Sequence, residues 1–355
     1  MWNKTALTQK LQLKYPIIQA PMAGGATTPE LVAAVSNSGG LGSLGAGYLP
    51  AEKIREEIRK VRTLTEAPFS VNLFIPENPQ EDQMKISQIT QAMQPYRQAL
   101  GLTAQPKVER YAQSFTEQIS VVIEEKVPAF SFTFGTLAEE WIDQLKAAGI
   151  LLMGTATTVR EAVALENSGI DVIVTQGSEA GGHRGSFLAE AEDSLVGTMA
   201  LVPQVVDHVN VPVVAAGGIM DGRGIVAALA LGASAAQLGT AFLTTHESGA
   251  NPAHIEAILQ HAEDETQLTK MFSGKFARGI RNKFMAEMQS YADSVPDYPI
   301  QNALTRDLRQ AAAQQKNSAF MSLWAGQGIR LSRRVSAQEL MEQLVSQVGD
   351  TLARL

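Results

Sequence analysis

"VPVVAAGGIMDGRGIVAALALGASAAQLGTAFL" (residues 211–243) opens with a β-branched run, 211–218, that ends in two glycines. A polar cap at Asp221 follows, then an apolar helical stretch closed by Gly232, then a second apolar run, 235–243. Strand, crossover helix and strand make a βαβ unit, and a crossover of that length sets the two strands parallel. The same alternation recurs toward the N-terminus, with further strand candidates at 16–21, 41–45, 69–74, 129–134, 151–156 and 171–177. Between them, "TPELVAAVSNSGG" offers Thr28 as N-cap, Pro29 in the first turn and Gly39 as terminator. "LPAEKIREEIRKVRTL" sets Ile54, Ile58 and Val61 on one face and charge on the other.

Eight strands, each followed by a crossover, predict an α/β fold of the (β/α)8 TIM-like barrel type. An open doubly wound sheet is the rival. The count of eight favours the barrel, as does the clustering of glycine and polar residues just after strand ends. The barrel is expected to span 1–248, with a helical insertion in the third crossover at about 76–127. After Ser248 the alternation stops, so 249–355 reads as a mostly helical cap packed over the barrel mouth.

The 355 residues are 45% hydrophobic and 18% charged, with a mean hydropathy of -0.03, enough apolar material for a large core. A net charge of -7 argues against a nucleic-acid partner, which would be gripped through excess Lys and Arg. Cysteine is absent, which removes disulfides, thiolate metal sites and cysteine nucleophiles. No run of about 18 apolar residues and no signal-peptide pattern stands out, so a cytoplasmic chain starting near Met1, away from membranes, is expected. The oligomeric state is open, with a homodimer as the candidate assembly.

Four strand ends share a glycine-rich character: "QAPMAGG", "TQGSEAGGHRG", "AAGGIMDGRG" and "QLGTAF". Glycines let backbone N–H groups come close to a ligand, and the loops after the seventh and eighth strands are the recurrent phosphate site of this barrel. Gly217, Gly218, Gly239 and Thr240 are therefore phosphate candidates. His183 follows Gly181 and Gly182 on the loop after the sixth strand; it is either a general base or hydrogen-bond donor over a bound cofactor, or an ordinary loop histidine. Asn72 and Gln176 are amides in otherwise apolar strands, suited to a heterocycle's edge or else satisfied by backbone. The other four histidines lack carboxylates at metal-ligand spacing, so no metal is expected. No GxSxG elbow occurs, and the strand segments hold no lysine and only Asp171 as an acid, which disfavours hydrolase, aldolase and isomerase chemistry.

In this order, "PIIQAPMAGG", "APFSVNLF", "PAFSFTFG", "VTQGSEAGGHRG", "PVVAAGGI" and "AAQLGTAFL" resemble the FMN-dependent nitronate monooxygenases, formerly called 2-nitropropane dioxygenases. The similarity continues through "FSGKFARGIRNKF" and "LWAGQG" in the cap. The resemblance implies non-covalent FMN, no metal, and oxidation of an alkyl nitronate by O2 through a flavin semiquinone to a carbonyl compound and nitrite or nitrate. Propionate 3-nitronate, a toxic metabolite, is the implied substrate class. It places Pro21, Met22 and Ala23 beside the flavin and Asn72 and Gln176 on its polar edge. Gly181 and Gly218 come close to the cofactor, with Gln237, Leu238, Gly239 and Thr240 at the phosphate end. His183 becomes the catalytic histidine, as base toward neutral nitroalkanes or as hydrogen-bond partner of the nitronate. Tyr298, Arg278, Arg281 and Trp324 are further candidates for the substrate pocket. The alternative is an FMN-dependent enoyl-acyl carrier protein reductase, which bears a similar "EAGGH" loop and uses a nicotinamide cofactor.

Overall fold

Strands buried on both faces need cover on both sides, and a parallel sheet wrapped in helices and closed on itself supplies it. A computed structural model describes residues 2–106 and 108–355; Met1, the expected start, and Lys107, in the insertion, lie outside them. Along the chain the strands are β1 (Ile17–Gln19), β2 (Gly42–Gly45), β3 (Phe69–Phe74), β4 (Ala129–Thr133), β5 (Leu151–Ala156) and β6 (Val172–Gln176). They continue with β7 (Gly182–His183), β8 (Val213–Ala216), β9 (Ala235–Leu238), β10 (Thr266–Thr269) and β11 (Ala277–Ile280). Eight of them pair in parallel in the order β1-β9-β8-β6-β5-β4-β3-β2.

The ring closes between β1 and β2. Leu41 N donates to Ile17 O at 2.9 Å, and Gln19 N donates to Leu41 O at 3.0 Å. Beyond Leu41 the seam is carried by a side chain. Gln19 Oε1 accepts from Ser43 N at 3.0 Å and its Nε2 donates to Ser43 O at 3.1 Å, so a buried amide substitutes for strand backbone. The result is a TIM barrel, as the eight strand segments predicted.

The helix expected from "TPELVAAVSNSGG" runs Pro29–Asn37, with Thr28 Oγ1 accepting from Leu31 N at 3.1 Å and Gly39 at a φ of 89°. β2 lies so near this helix that a Cβ on Gly42 would stand 2.1 Å from the Val32 carbonyl oxygen. Ile54, Ile58 and Val61 are buried on the next helix, Ala51–Leu64. Among its described residues the insertion holds three helices, Gln83–Ala92, Gln94–Ala99 and Phe115–Glu124.

Two elements differ from the sequence reading. The apolar run 235–243 is strand only to Leu238; after Gly239 it turns into a short helix, Thr240–Leu243, whose four side chains are all buried, so hydrophobicity does not separate it from the strand. The segment after Ser248 is mostly helical, as expected, but also holds strands that the sequence reading did not place. β10 and β11 form an antiparallel hairpin, and β7, from the loop after β6, adds as its third strand. The last helix, Ala337–Leu352, returns to the barrel, where Leu340, Met341, Leu344 and Val348 pack with Leu31, Val35, Ile225 and Val226. No helix of the described residues is long and apolar enough to cross a membrane.

Replacing Gln19 by leucine keeps its volume but strands the buried N–H and C=O of Ser43. Each orphaned group costs about 1–3 kcal/mol. Gln19→Leu is therefore expected to lower the free energy of unfolding by at least about 2 kcal/mol in urea titrations, and an unchanged midpoint would show that the seam does not depend on this amide.

Candidate active site

The C-terminal ends of all eight barrel strands lie on one rim, and the segments that leave them enclose a cavity of about 600 Å³. Pro21, Met22, Ala23, Asn72, Gln176, Gly181, His183, Gly217, Gly218, Gln237, Gly239 and Thr240 all line it. Leu238 does not: its side chain is fully buried in the apolar cluster outside the barrel, and its carbonyl accepts from Ala20 N at 2.9 Å.

The loop after β6 is tied at both ends. Gln176 Nε2 donates to His183 O at 2.9 Å, and its Oε1 accepts from Gly185 N at 2.8 Å. The Arg184 guanidinium, buried beneath the loop, donates to the carbonyls of Gln176 and Ser194. Glu179 caps the following helix, Thr198–Val206, taking Thr198 N at 2.9 Å and Thr198 Oγ1 at 2.8 Å. The Gln176 amide is thus committed mainly to shaping the loop, with one Nε2 hydrogen to spare. Gly181 is needed for space, since a Cβ there would stand 2.6 Å from Ala325 C.

His183 sits on β7 and pairs in register with Ala277 of β11. Its Nε2 lies 2.9 Å from Ser273 Oγ, and Ser273 Oγ donates its one hydrogen to Lys275 O at 2.9 Å. Both bonds hold together only if Nε2 carries the ring proton, which leaves the lone pair on Nδ1. Burial, with Lys275 and Arg309 nearby, pushes the His183 pKa down to about 3, so the ring is neutral. A second cavity histidine, His254, donates from Nε2 to Trp324 O at 3.0 Å, and burial pushes it down to about 4.

Aromatic rings frame His183: Phe134 at 5.7 Å, Tyr298 at 5.9 Å and Trp324 at 5.7 Å between ring centroids. Phe134 adopts a φ of 81°, a left-handed backbone uncommon for a bulky residue. Its ring is held by Phe74 at 4.9 Å and by Lys275 Nζ, 4.8 Å from its centroid. Lys275 is itself fixed by Glu77, 2.6 Å away. Tyr48 and Tyr298 keep neutral hydroxyls, since burial raises both phenols.

On the wall formed by the helix Arg306–Gln314, Arg306 and Arg309 face the cavity. Arg309 Nη2 donates to Asn302 O and Oδ1, both at 2.8 Å, and Nε donates to Thr305 Oγ1 at 3.1 Å. Its Nη1 makes no hydrogen bond among the described residues. No Asp, Glu or Lys lines the cavity, so these two arginines are its only charged side chains among the described residues.

Of the cap candidates, Tyr298 and Trp324 line the cavity. Arg278 instead braces the β6 loop through Ser178 O at 3.0 Å, and Arg281 lies at the surface, donating to Asp264 O at 3.2 Å. Sequence reasoning missed Arg306, Arg309 and Ser273. The arginines had a signal, since Arg306, Arg309, Gln310 and Ala313 recur at helical spacing in "TRDLRQAAAQQK".

Residues 4–347 match the family described as nitronate monooxygenase. The chain belongs to that family. Nitronate monooxygenases are oxidoreductases, and this one is 50% identical over 354 residues to a probable nitronate monooxygenase of Staphylococcus haemolyticus (strain JCSC1435), covering 99% of each chain. Among solved structures, the nitroalkane oxidase of Streptomyces ansochromogenes superposes with a TM-score of 0.91 at 40% identity over 99% of each chain. FabK from Thermotoga maritima gives 0.78 at 29% identity, covering 99% of this chain and 98% of that one. As a nitronate monooxygenase family member the protein carries out oxidative nitroalkane or nitronate chemistry on a small molecule.

Both buried histidines are neutral when folded, while in the unfolded chain they titrate near the ordinary 6.5. The unfolded state therefore binds more protons below that pH. The resulting stability is complete above about 6.5 and is lost as pH falls toward 4 and 3, at about 1.4 kcal/mol per pH unit for each histidine. Unfolding free energies measured from pH 7 to 5 should fall, and the fall should be smaller in the His183→Asn, His254→Asn double variant. An equal slope in that variant would contradict the neutral assignment.

Proposed function

We propose that this protein oxidises anionic alkyl nitronates with O2, using non-covalently bound FMN, and that propionate 3-nitronate is the substrate class it fits best. The supporting observation is the charge of the cavity: two arginines, no carboxylate, and a histidine held neutral. A low-dielectric pocket with that lining attracts anions. A nitronate is already deprotonated, which suits a histidine whose basicity has been lowered. The products would be a carbonyl compound and nitrite or nitrate.

The rim residues fit FMN. The N–H groups of Gly217, Gly218 and Gly239 find no acceptor among the described residues, and they line the cavity from two neighbouring strand ends. Thr240 Oγ1 accepts from Gly326 N at 2.9 Å, which leaves the hydroxyl hydrogen to donate. Together these donors would hold the phosphate. Pro21, Met22, Ala23 and Gly181 would line the flavin ring, with Asn72 and the spare Gln176 hydrogen at its polar edge and Gln237 near the phosphate end. Leu238 would act only through its backbone. When bound, FMN supplies the acceptor for the substrate's electrons and passes them to O2.

His183 presents Nδ1, backed by the Ser273 bond at Nε2. With a neutral nitroalkane, Nδ1 would take the α-proton; with a nitronate it orients the substrate. Arg309, through its free Nη1, and Arg306 would receive the carboxylate of propionate 3-nitronate, while Phe134, Tyr298 and Trp324 keep water from the reacting end.

The purified protein should be yellow, take up O2 and release nitrite with propionate 3-nitronate. Under anaerobic conditions that substrate should change the flavin spectrum and NADH should not. Bleaching by NADH together with inertness to the nitronate would instead establish the enoyl reductase alternative. His183→Asn should keep FMN bound and lower turnover of neutral nitroalkanes far more than that of preformed nitronates; equal losses would remove the base role. Arg309→Met forfeits a charged hydrogen bond of about 1.5–3 kcal/mol. It should therefore raise KM for propionate 3-nitronate roughly 10- to 100-fold, and that for ethyl nitronate much less.

A further inference from the structure

The helix Arg306–Gln314 has two working faces. Arg306, Arg309, Gln310 and Ala313, at i, i+3, i+4 and i+7, look into the cavity. Asp307 and Ala311, with Gln315 just past the helix end, recur every four residues on the other side, against the insertion. There Arg97, on the insertion helix Gln94–Ala99, makes a two-pronged pair with Asp307: Nη1 to Oδ1 and Nη2 to Oδ2, both 2.8 Å. At the far end Gln315 Nε2 donates to Leu100 O at 2.9 Å. Between these ties Leu308, Ala311 and Ala312 pack with Met93 and Leu100 of the insertion.

Arg97 is only 1% exposed, and a guanidinium so far from water is costly unless its geometry is fixed by partners. It touches neither the cavity nor His183. Its two-pronged bond specifies direction as well as distance, unlike the apolar packing around it, which would tolerate a roll of the helix. One residue of slip turns a helix by about 100° and would carry Arg306 and Arg309 off the wall.

We infer that Arg97 and Asp307 form a positioning pair that fixes the rotational register of the cavity helix, so that the insertion sets the enzyme's preference for substrates bearing a second, anionic end. The insertion also contributes wall directly, since Tyr111 and Gln113 line the cavity and Tyr111 O accepts from Arg306 Nη2 at 3.4 Å. This inference rests on the proposed reading that the anionic end of the substrate meets Arg306 and Arg309.

The test uses the FMN-loaded protein and two nitronates sharing the reacting group: propionate 3-nitronate and ethyl nitronate, which lacks the carboxylate. In Asp307→Asn and Arg97→Lys, KM for propionate 3-nitronate should rise about tenfold. The kcat of both substrates and KM for ethyl nitronate should stay within twofold, and Asp307→Glu should recover part of the loss. In an Arg306→Met, Arg309→Met background Asp307→Asn should add no further rise, because both groups it positions are gone. Equal changes for both substrates, or additivity in that background, would reduce the pair to a structural brace and overturn the inference. If Asp307→Asn loses FMN or folds poorly, Gln315→Leu, at the other end of the same face, must show the same selective rise or the inference falls. A wild-type protein inert to both nitronates would fail the functional reading itself, before any variant is compared.

Discussion

Closure of the barrel between β1 and β2 is the constraint on which the site depends. Among the described residues these two strands share the backbone bonds at Leu41 and the amide of Gln19 laid against Ser43. Closure converts eight strand ends into one ring, so that Pro21–Ala23 after β1 and Asn72 on β3 face Gln176, Gly217 and Gly239 across a single cavity. An open sheet would spread the same residues along an edge. The polar residues of the barrel interior, Ser43, Ser70, Asn72 and Ser131, all buried, belong to the same solution. Asn72 Nδ2 donates across to Ser131 Oγ at 3.0 Å instead of packing as hydrocarbon, which ties β3 to β4 near the rim.

Above the rim, order is imposed by charged and amide groups that do no chemistry. Gln176 and Arg184 hold the loop from below. Glu161, fully buried, accepts from Phe187 N at 2.7 Å and Leu188 N at 3.0 Å where the loop leaves the cavity. β7 then joins the β10–β11 hairpin, so His183 is placed by a sheet and not by a free loop. A histidine held that way keeps its tautomer and its ring plane, which a base or hydrogen-bonding partner requires.

Local patterns carried much of this. The eight strands, the Thr28 cap, the apolar face of Ala51–Leu64 and the helical character of the insertion could be read because each depends on neighbours within a few residues. The boundary at Leu238 could not, since Thr240–Leu243 is as apolar as the strand before it. At the site, His183 and the glycines stood out by residue type. Ser273 did not: a serine 90 residues from its histidine has no local mark. Gln176 was read as facing a ligand, yet most of its hydrogen-bonding capacity goes to the loop's own backbone, which only the folded path of the loop reveals. Arg278 and Arg281 drew attention as arginines near a recognisable motif, whereas the cavity's cations lie on a helix whose periodicity was visible but whose direction of facing was not.

The return of Ala337–Leu352 to the barrel has a consequence for how the chain is made. Its apolar residues cover Leu31, Val35, Ile225 and Val226, surfaces made well before it. Those surfaces lack this cover until residues 337–352 have been made. The barrel is fully covered only once that helix has docked, and until then the uncovered apolar patches are open to other partners.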